Sequence, residues 1–457
     1  MENIVKAYPH KMFVCDEKKY IFMGYGSAIY ELDNMESLIV ENTGKSLEEI
    51  KKIFEENFPD TDSSRADDII NELTNNNILV NEKTEKLYSD ISNNLSEAKP
   101  NSVTLMLCQE CNLRCKYCYA EKGEYKNPGI MPEEIGRKAI EYIAGLDENR
   151  DRFDVIMFGG EPLMDFNKIK NLVEYAKKVA KEKNKKVGFS ITTNGTLLTK
   201  EIEEYLIKEK FNITLSLDGG KEVNDKNRFF PNGQGAYEST IKKTELLRKN
   251  KLIGIRGTVT SVGTDLLERW NDLKDIGVAN VNFSQSVNMM DDADFEALTE
   301  SFKKSIDYYC QMIREKKTSE IKAMGFVSKI FDKIKNGGIR MKNCGAANNM
   351  IAVDKDGNIY PCHRLVAQPD FSIGDIYSGI DVDKCHDLEK RMLISNYEKC
   401  KDCWLASFCA GGCIQENLLM SGETNTAYYN NCKLMKTVTQ YAVEKYIEML
   451  NEGVISA

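Results

Sequence analysis

The sequence predicts an α/β fold with a parallel sheet at its centre. Three observations carry that expectation. From Val103 to about Val287, short apolar runs alternate with helical patterns, as strand–helix units do when they cross over a parallel sheet. Ahead of them, a short segment reads as strands followed by helices. From Cys344 onward cysteines become dense and apolar periodicity fades, as expected where metal centres replace a hydrophobic core in small modules. The expected segments are 1–95, 100–320 and 321–457.

In the first segment, Met12–Cys15, Lys19–Met23 and Ala28–Glu31 are short strands. Asp16-Glu17-Lys18 and Gly24-Tyr25-Gly26 punctuate them as turns. Ser46-Leu47-Glu48-Glu49 opens a helix in the manner of a capping box, with Ile50 and Phe54 four apart on one face. Ile69, Ile70 and Leu73 mark another helix, and Ile78–Val80 reads as a final strand. Strands followed by helices at this size suggest a winged-helix shape. Leu87–Pro100, polar and rich in Asn, Ser and Lys, reads as a linker.

The central strands are expected at Val103–Leu107, Val155–Phe158, Gly188–Thr192, Ile213–Leu217, Ile255–Thr260 and Val281–Ser284. Helical spacing joins Ile169, Leu172, Val173, Ala176, Val179 and Ala180, and later Leu266, Leu267, Trp270 and Leu273. In barrels of such units, active sites gather at the C-terminal ends of the strands. Three motifs fall there: the loop Cys111–Cys118 after the first strand, Gly159-Gly160-Glu161-Pro162 after the second, and Thr193-Asn194-Gly195 after the third. A long helix follows, with Phe295, Leu298, Phe302, Ile306, Tyr309 and Ile313 on one face and Cys310 beside that stripe as a core thiol. His386–Leu393 and Tyr441–Leu450 also read as helices.

The chain has 457 residues and a formal charge of −9, which argues against a nucleic-acid binder. The opening Met1–Lys6 lacks the apolar core of a signal peptide, and no run of apolar residues is long enough for a membrane span. With 14 cysteines, these points lead to metal sites in a reducing cytoplasm. A DNA-binding front module would need a basic helix, and Ser46–Asn57 is largely acidic.

Cys111, Cys115 and Cys118 are spaced C-x3-C-x2-C. Three thiolates on one short loop suit three irons of a [4Fe–4S] cubane, leaving the fourth iron open, as catalytic metal sites are. A zinc knuckle would close with four ligands, and this loop offers no His. Further on, Cys344 and Cys362 are followed by Cys400, Cys403, Cys409 and Cys413, spaced C-x2-C-x5-C-x3-C, and by Cys432. Seven thiols at these intervals suit two more clusters.

The first motif, with Tyr117 beside its last cysteine, resembles the radical S-adenosylmethionine (SAM) superfamily. The second set resembles the SPASM extension of peptide-modifying members. The resemblance covers roughly 100–440 and implies a partial (β/α)6 TIM-like barrel, an N-terminal winged-helix-like domain and a C-terminal cysteine-rich domain. It also implies SAM and three [4Fe–4S] clusters as cofactors. Cys400, Cys403, Cys409 and Cys432 would ligate the distal auxiliary cluster, and Cys344, Cys362 and Cys413 the nearer one. For the nearer cluster either Cys385 adds a fourth thiolate or the site is open to a substrate thiolate. Cys385 also reads as an ordinary helix thiol, Cys15 as strand core, and Cys108 as a residue near the first cluster.

The same resemblance implies that Glu161, with Gly159 and Gly160 before it, meets the SAM amino group. Ser216 and Arg228 would hold the SAM carboxylate, with Asp218 near them in Ser216-Leu217-Asp218-Gly219, and an arginine fork suits a carboxylate. Asn194 would lie near the ribose or methionine part. The implied chemistry is reductive cleavage of SAM to a 5′-deoxyadenosyl radical that takes hydrogen from a peptide. In related anaerobic sulfatase maturases an Asp follows the cysteine matching Cys362. Here His363 stands there, which argues against that activity and offers either a base or a hydrogen-bond donor to cluster sulfur.

The front module resembles the recognition element of ribosomal-peptide (RiPP) maturases, which bind a leader peptide by adding a strand. The expected function is therefore a maturase forming a thioether between a Cys sulfur and a carbon. Carbon–carbon crosslinking, epimerisation, or a non-catalytic electron carrier are the alternatives. The expected partners are the precursor peptide and an electron donor such as flavodoxin or ferredoxin, with no nucleic acid and no membrane.

Overall fold

The computed structural model describes residues 4–62, 64–93, 97–366 and 368–456. The chain divides into two compact units, each assembled from separate stretches of sequence. One takes Met1–Leu95, Lys329–Asn343 and Arg391–Ala457; the other takes Ser96–Ser328 and Cys344–Lys390.

In the first unit, β1 (His10–Cys15), β2 (Lys18–Met23) and β3 (Ile29–Leu32) form an antiparallel sheet in that order. Four helices follow: α1 (Asn34–Glu41), α2 (Leu47–Asn57), α3 (Ser64–Asn75) and α4 (Glu82–Asn93). The expected capping box is present on α2, where Ser46 accepts from the Glu49 N–H and Glu49 reaches back to Ser46. Asp33 and Glu36 make a second box on α1, an element the sequence reading passed over. Ile21, Ile39, Ile50, Phe54, Ile69 and Leu73 are fully buried together.

Two expectations need correction here. Ile78–Val80 is not a strand: Leu79 makes a single bridge to Ala7. The pairing stops because the Ile78 N–H donates to the Leu73 carbonyl of α3 at 2.9 Å and so does not return the bond that Tyr8 gives it. Leu87–Asn93 is not linker but the second half of α4. Tyr88 stacks on Tyr25 at 4.6 Å and meets Tyr8 edge-on at 5.4 Å, and this tertiary contact holds a polar helix that lacks an apolar stripe. Residues 94–96 of that expected linker lie outside the described residues.

The same unit packs its sheet against the late cysteine segment. Phe22 is fully buried, with Trp404 at 5.7 Å and Phe408 at 6.4 Å; burying a Phe contributes about 1.5–3 kcal/mol. Gly24 permits the approach, since a Cβ there would lie 2.6 Å from the Pro9 carbonyl oxygen and 2.9 Å from that of Cys403. The helix expected at Tyr441–Leu450 runs from Tyr429 to Asn451, its first turns being polar and carrying Cys432. Cys15 is half-buried at the end of β1 rather than core, near Asp16 and Asn451.

In the second unit, β4 (Ser102–Cys108), β5 (Arg152–Gly159), β6 (Lys186–Thr193), β7 (Asn212–Ser216), β8 (Ile253–Val259) and β9 (Asn280–Gln285) pair in parallel, each with the next. All six expected strands are there. The sheet continues past β4. There β10 (Met350–Val353) adds in parallel, and β11 (Asn358–Tyr360), β12 (Gly374–Asp375) and β13 (Gly379–Ile380) follow antiparallel. Between strands, the helix Phe166–Glu182 buries the expected apolar face, and the helix Glu133–Gly145 buries Ile135, Ala139, Ile140 and Ile143. Cys310 is buried on the helix Asp292–Arg314, and Cys385 on Val382–Met392. Among the described residues no helix is long and apolar enough to cross a membrane.

Candidate functional site

The cysteine loop begins where β4 ends and is tethered on both sides. The Arg114 and Lys116 N–H groups donate to the Phe229 and Asn227 carbonyls at 2.7 and 3.0 Å. Gly160 and Glu161 donate to the Cys108 and Glu110 carbonyls at 2.7 and 3.0 Å, so the loop and the end of β5 are held together. Side chains are barred from this contact. A Cβ on Gly160 would sit 2.2 Å from the Glu110 oxygen, and one on Gly123 2.6 Å from the Cys111 Cβ. Gly159, at φ +139, has a backbone that favours glycine.

The three thiols present a donor set suited to iron. The Leu113 N–H points at Cys111 Sγ at 3.4 Å, and the Asn194 amide reaches the same sulfur at 3.8 Å. Burial pushes Cys111 up to about 12 and Cys115 up to about 11, so these thiols stay protonated until a metal displaces the proton. Arg228 beside Cys115 opposes that rise. Cys118 packs with Phe158 against Met106, Tyr125, Ala352 and Tyr360. A cleft of about 560 Å³ opens beside Cys115 and Cys118, rimmed by Arg114, Lys116 and Lys122.

Two buried carboxylates flank the loop. Glu161 accepts from Thr193 Oγ1 at 2.7 Å, the Leu163 N–H at 3.0 Å and the Asn194 N–H at 2.7 Å. A carboxylate offers about four acceptor positions, so one remains for a ligand ammonium. Asp218 accepts from the Tyr117 hydroxyl at 2.8 Å and the Thr258 N–H at 2.9 Å. Arg228 Nη1 donates to the same Tyr117 oxygen at 2.6 Å. Burial raises both carboxyls above the usual range, and Arg228 works against this at each. The structure thus brings Tyr117, Asp218 and Arg228 into one hydrogen-bonded chain. Glu161 joins Asn194, which bonds to Asn112 at 2.9 Å. Ser216 is half-buried at the end of β7, opposite Arg256.

Sequence reasoning missed Arg269. It is buried on the helix Leu266–Leu273 and donates to the carbonyls of Asp218, Thr258, Val262 and Gly263, pinning the ends of β7 and β8. The signal was an arginine on an apolar stripe. Cys108 is buried, its sulfur 4.0 Å from Met164 Sδ.

In the same unit, Cys344 is exposed and Cys362 half-buried. His363 lies against Phe158 at 4.6 Å, and burial with Arg364 and Arg256 pushes it down to about 4, so the ring is neutral at neutral pH. Tyr119, in electrostatic reach of Cys118 and Cys362, bonds to the Tyr125 hydroxyl at 3.2 Å. Burial raises Cys385 to about 12, with Asp381 and Glu389 adding to the rise. In the other unit Cys400, Cys403, Cys409 and Cys432 lie within electrostatic reach of one another, and Cys413 immediately precedes the helix Ile414–Ser421 without a side-chain capping bond.

Residues 106–276 match the Radical SAM superfamily. The radical SAM cyclopropyl synthase TigE of Paramaledivibacter caminithermalis is 24% identical over 97% of this chain and 96% of its own. The cysteine-type anaerobic sulfatase-maturating enzyme of Clostridium perfringens is 24% identical over 75% and 95%. Among solved structures, anSMEcpe with bound AdoMet has a TM-score of 0.63 at 22% identity, covering 77% of this chain and 100% of its own. Streptococcus suis SuiB bound to the precursor peptide SuiA has a TM-score of 0.51 at 18% identity, covering 94% and 99%. These two share the fold. Residues 106–276 thus carry a radical SAM domain, and the named relatives that resemble the chain beyond it are enzymes.

Proposed function

We propose that this enzyme matures a ribosomally made peptide by joining two of its side chains. The observation that carries the reading is the rim. A three-cysteine loop, the Glu161–Asn194 pair and the Tyr117–Asp218–Arg228 chain all stand at the ends of consecutive strands. A SAM molecule and a cubane, when bound, supply a carbon-centred radical able to take hydrogen from an unactivated carbon. Cys111, Cys115 and Cys118 would hold the cubane. Glu161 would orient the SAM ammonium with its remaining acceptor position, and Arg228, with Ser216, the carboxylate. Cys400, Cys403, Cys409 and Cys432 are proposed to hold a second cluster, and Cys344 and Cys362 to contribute to a third. His363 would stand beside that third centre as a hydrogen-bonding group.

The peptide substrate is supported by the relatives. TigE, similar along nearly the whole chain, is named a cyclopropyl synthase, the sulfatase-maturating enzyme acts on a protein, and SuiB is seen with its precursor peptide. For the leader we propose the winged-helix-like front module, with β3 as the accepting edge. Met23 and Ala28 bond across β2 and β3. With the register Ile21↔Tyr30, alternation of the ladder turns the Ile29 and Glu31 backbone groups outward, where an added strand would pair. An electron donor such as flavodoxin or ferredoxin would reduce the enzyme.

The finer reading is a thioether, and TigE's name favours a carbon–carbon bond as the second. Both remove two hydrogens from the peptide, and only the first consumes a thiol. Co-expression with a candidate precursor, then mass spectrometry with and without thiol alkylation, separates them. A peptide two hydrogens lighter with one thiol fewer supports the thioether. The same loss with every thiol alkylated supports the carbon–carbon bond, and an unchanged mass refutes a crosslink in that peptide.

A further inference from the structure

The helix Gly325–Asn336 turns an apolar face inward: Phe326, Val327, Ile330, Phe331 and Ile334 are all buried. Lys333 stands beside that face with its ammonium folded back. It donates to the Phe408 carbonyl at 3.4 Å and lies over the Phe408 ring, 5.1 Å from the centroid. Phe408 is fully buried and precedes Cys409. Among the described residues no carboxylate pairs with Lys333. Arg340 and Lys329 repel its charge, and the Cys409 sulfur attracts it.

A half-buried cation crowded by two others and lacking a carboxylate is out of place unless an anion sits near it. The Cys409 thiol, within electrostatic reach of Lys333, and the three thiols grouped with it would provide one once they hold a cluster. Cys400, Cys403, Cys409 and Cys432 form one group, and a cubane held by four thiolates has a net negative charge that grows on reduction. Two N–H groups already point at this sulfur set, Leu405 to Cys403 at 3.4 Å and Gly411 to Cys409. Lys436 and Lys399 are near Cys432, but both are exposed, where solvent screens them. Lys333, by contrast, is half-buried and within electrostatic reach of Cys409.

We propose that Lys333 is a positioning residue for electron transfer: its charge stabilises the reduced form of the distal cluster and lets it accept an electron. Cluster potentials follow net charge, hydrogen bonds to sulfur and solvent exposure, and Lys333 acts through the first. The inference rests on the proposed reading that these four cysteines hold a cluster.

The test uses the full chain with Cys111, Cys115, Cys118, Cys344 and Cys362 changed to Ala, reconstituted anaerobically. Its reduction is followed by electron paramagnetic resonance at poised potentials. Lys333→Met and Lys333→Gln should each make reduction at least tenfold less favourable, about 59 mV for a one-electron couple. Lys333→Arg should hold the parent midpoint. Glutamine keeps a donor for the Phe408 carbonyl and removes only the charge. A parent midpoint in Lys333→Gln, with the parent's iron and sulfide content, overturns the inference while the cluster reading stands. A background protein lacking a cubane's iron and sulfide overturns the cluster reading and the inference with it.

Discussion

Glu161→Gln is the substitution whose outcome follows most directly from geometry. One carboxylate oxygen accepts from the Leu163 N–H and Thr193 Oγ1, the other from the Asn194 N–H. Glutamine must put its NH2 in one of those places. Set against Asn194, it loses one bond and faces an N–H with another donor; set on the other side, it loses two. The cheaper arrangement forfeits a charge-assisted bond of about 1.5–3 kcal/mol and leaves a buried N–H unpaired for about 1–3 kcal/mol more. Asn194 then shifts, and it is the residue that reaches Cys111 Sγ and Asn112. The remaining acceptor position also loses its negative charge. Losing about 2–3 kcal/mol at a bound ammonium weakens affinity about 30–150-fold. Isothermal titration of SAM into anaerobically reconstituted protein reads this directly. Binding within threefold of the parent, at equal iron content, would refute the role given to Glu161.

Two further outcomes follow from other elements. Glu31→Pro removes an outward N–H from the β3 edge, so modification of a leader-bearing peptide should need more substrate while SAM cleavage continues at the parent rate; an unchanged KM for the peptide contradicts the edge assignment. Asp165 caps the helix Phe166–Glu182. Burial opposes its ionisation, yet the Lys168 N–H and ammonium hold its carboxyl below the usual range. Its stabilisation is present above the pKa of an unfolded Asp and is lost as pH falls through the lowered folded value. Asp165→Asn keeps the cap without the charge. It should cost about 0.5 kcal/mol near neutral pH, a cost that disappears as pH falls through the lowered folded value, read from thermal unfolding at several pH values. A deficit that persists in acid contradicts the cause given.

Much of the second unit was legible because its signals are local. Each central strand is a short apolar or β-branched run, and each rim motif sits within a few residues of a strand end. Elements held by distant partners were not legible. The helix Glu82–Asn93 has a polar sequence and depends on Tyr88 meeting Tyr8 and Tyr25. Strands β10–β13 are two to four residues long, and β10 finds β4 across more than two hundred residues of chain. The helix Asn34–Glu41 is a different case, since Asp33 and Glu36 spelled out its start. The packing of Phe22 on Trp404 also changes how the front module is tested. Deleting residues 1–90 would strip a fully buried ring from the cysteine-bearing half of its own unit, so a point change on β3 is the cleaner probe.

One assay bears on the loop from which the whole reading grows. Anaerobically reconstituted enzyme is given SAM and dithionite, and 5′-deoxyadenosine is quantified beside the variant with Cys111, Cys115 and Cys118 changed to Ala. The parent should release the nucleoside, and the variant should release none while keeping the iron bound elsewhere. Equal release from both proteins would contradict the account.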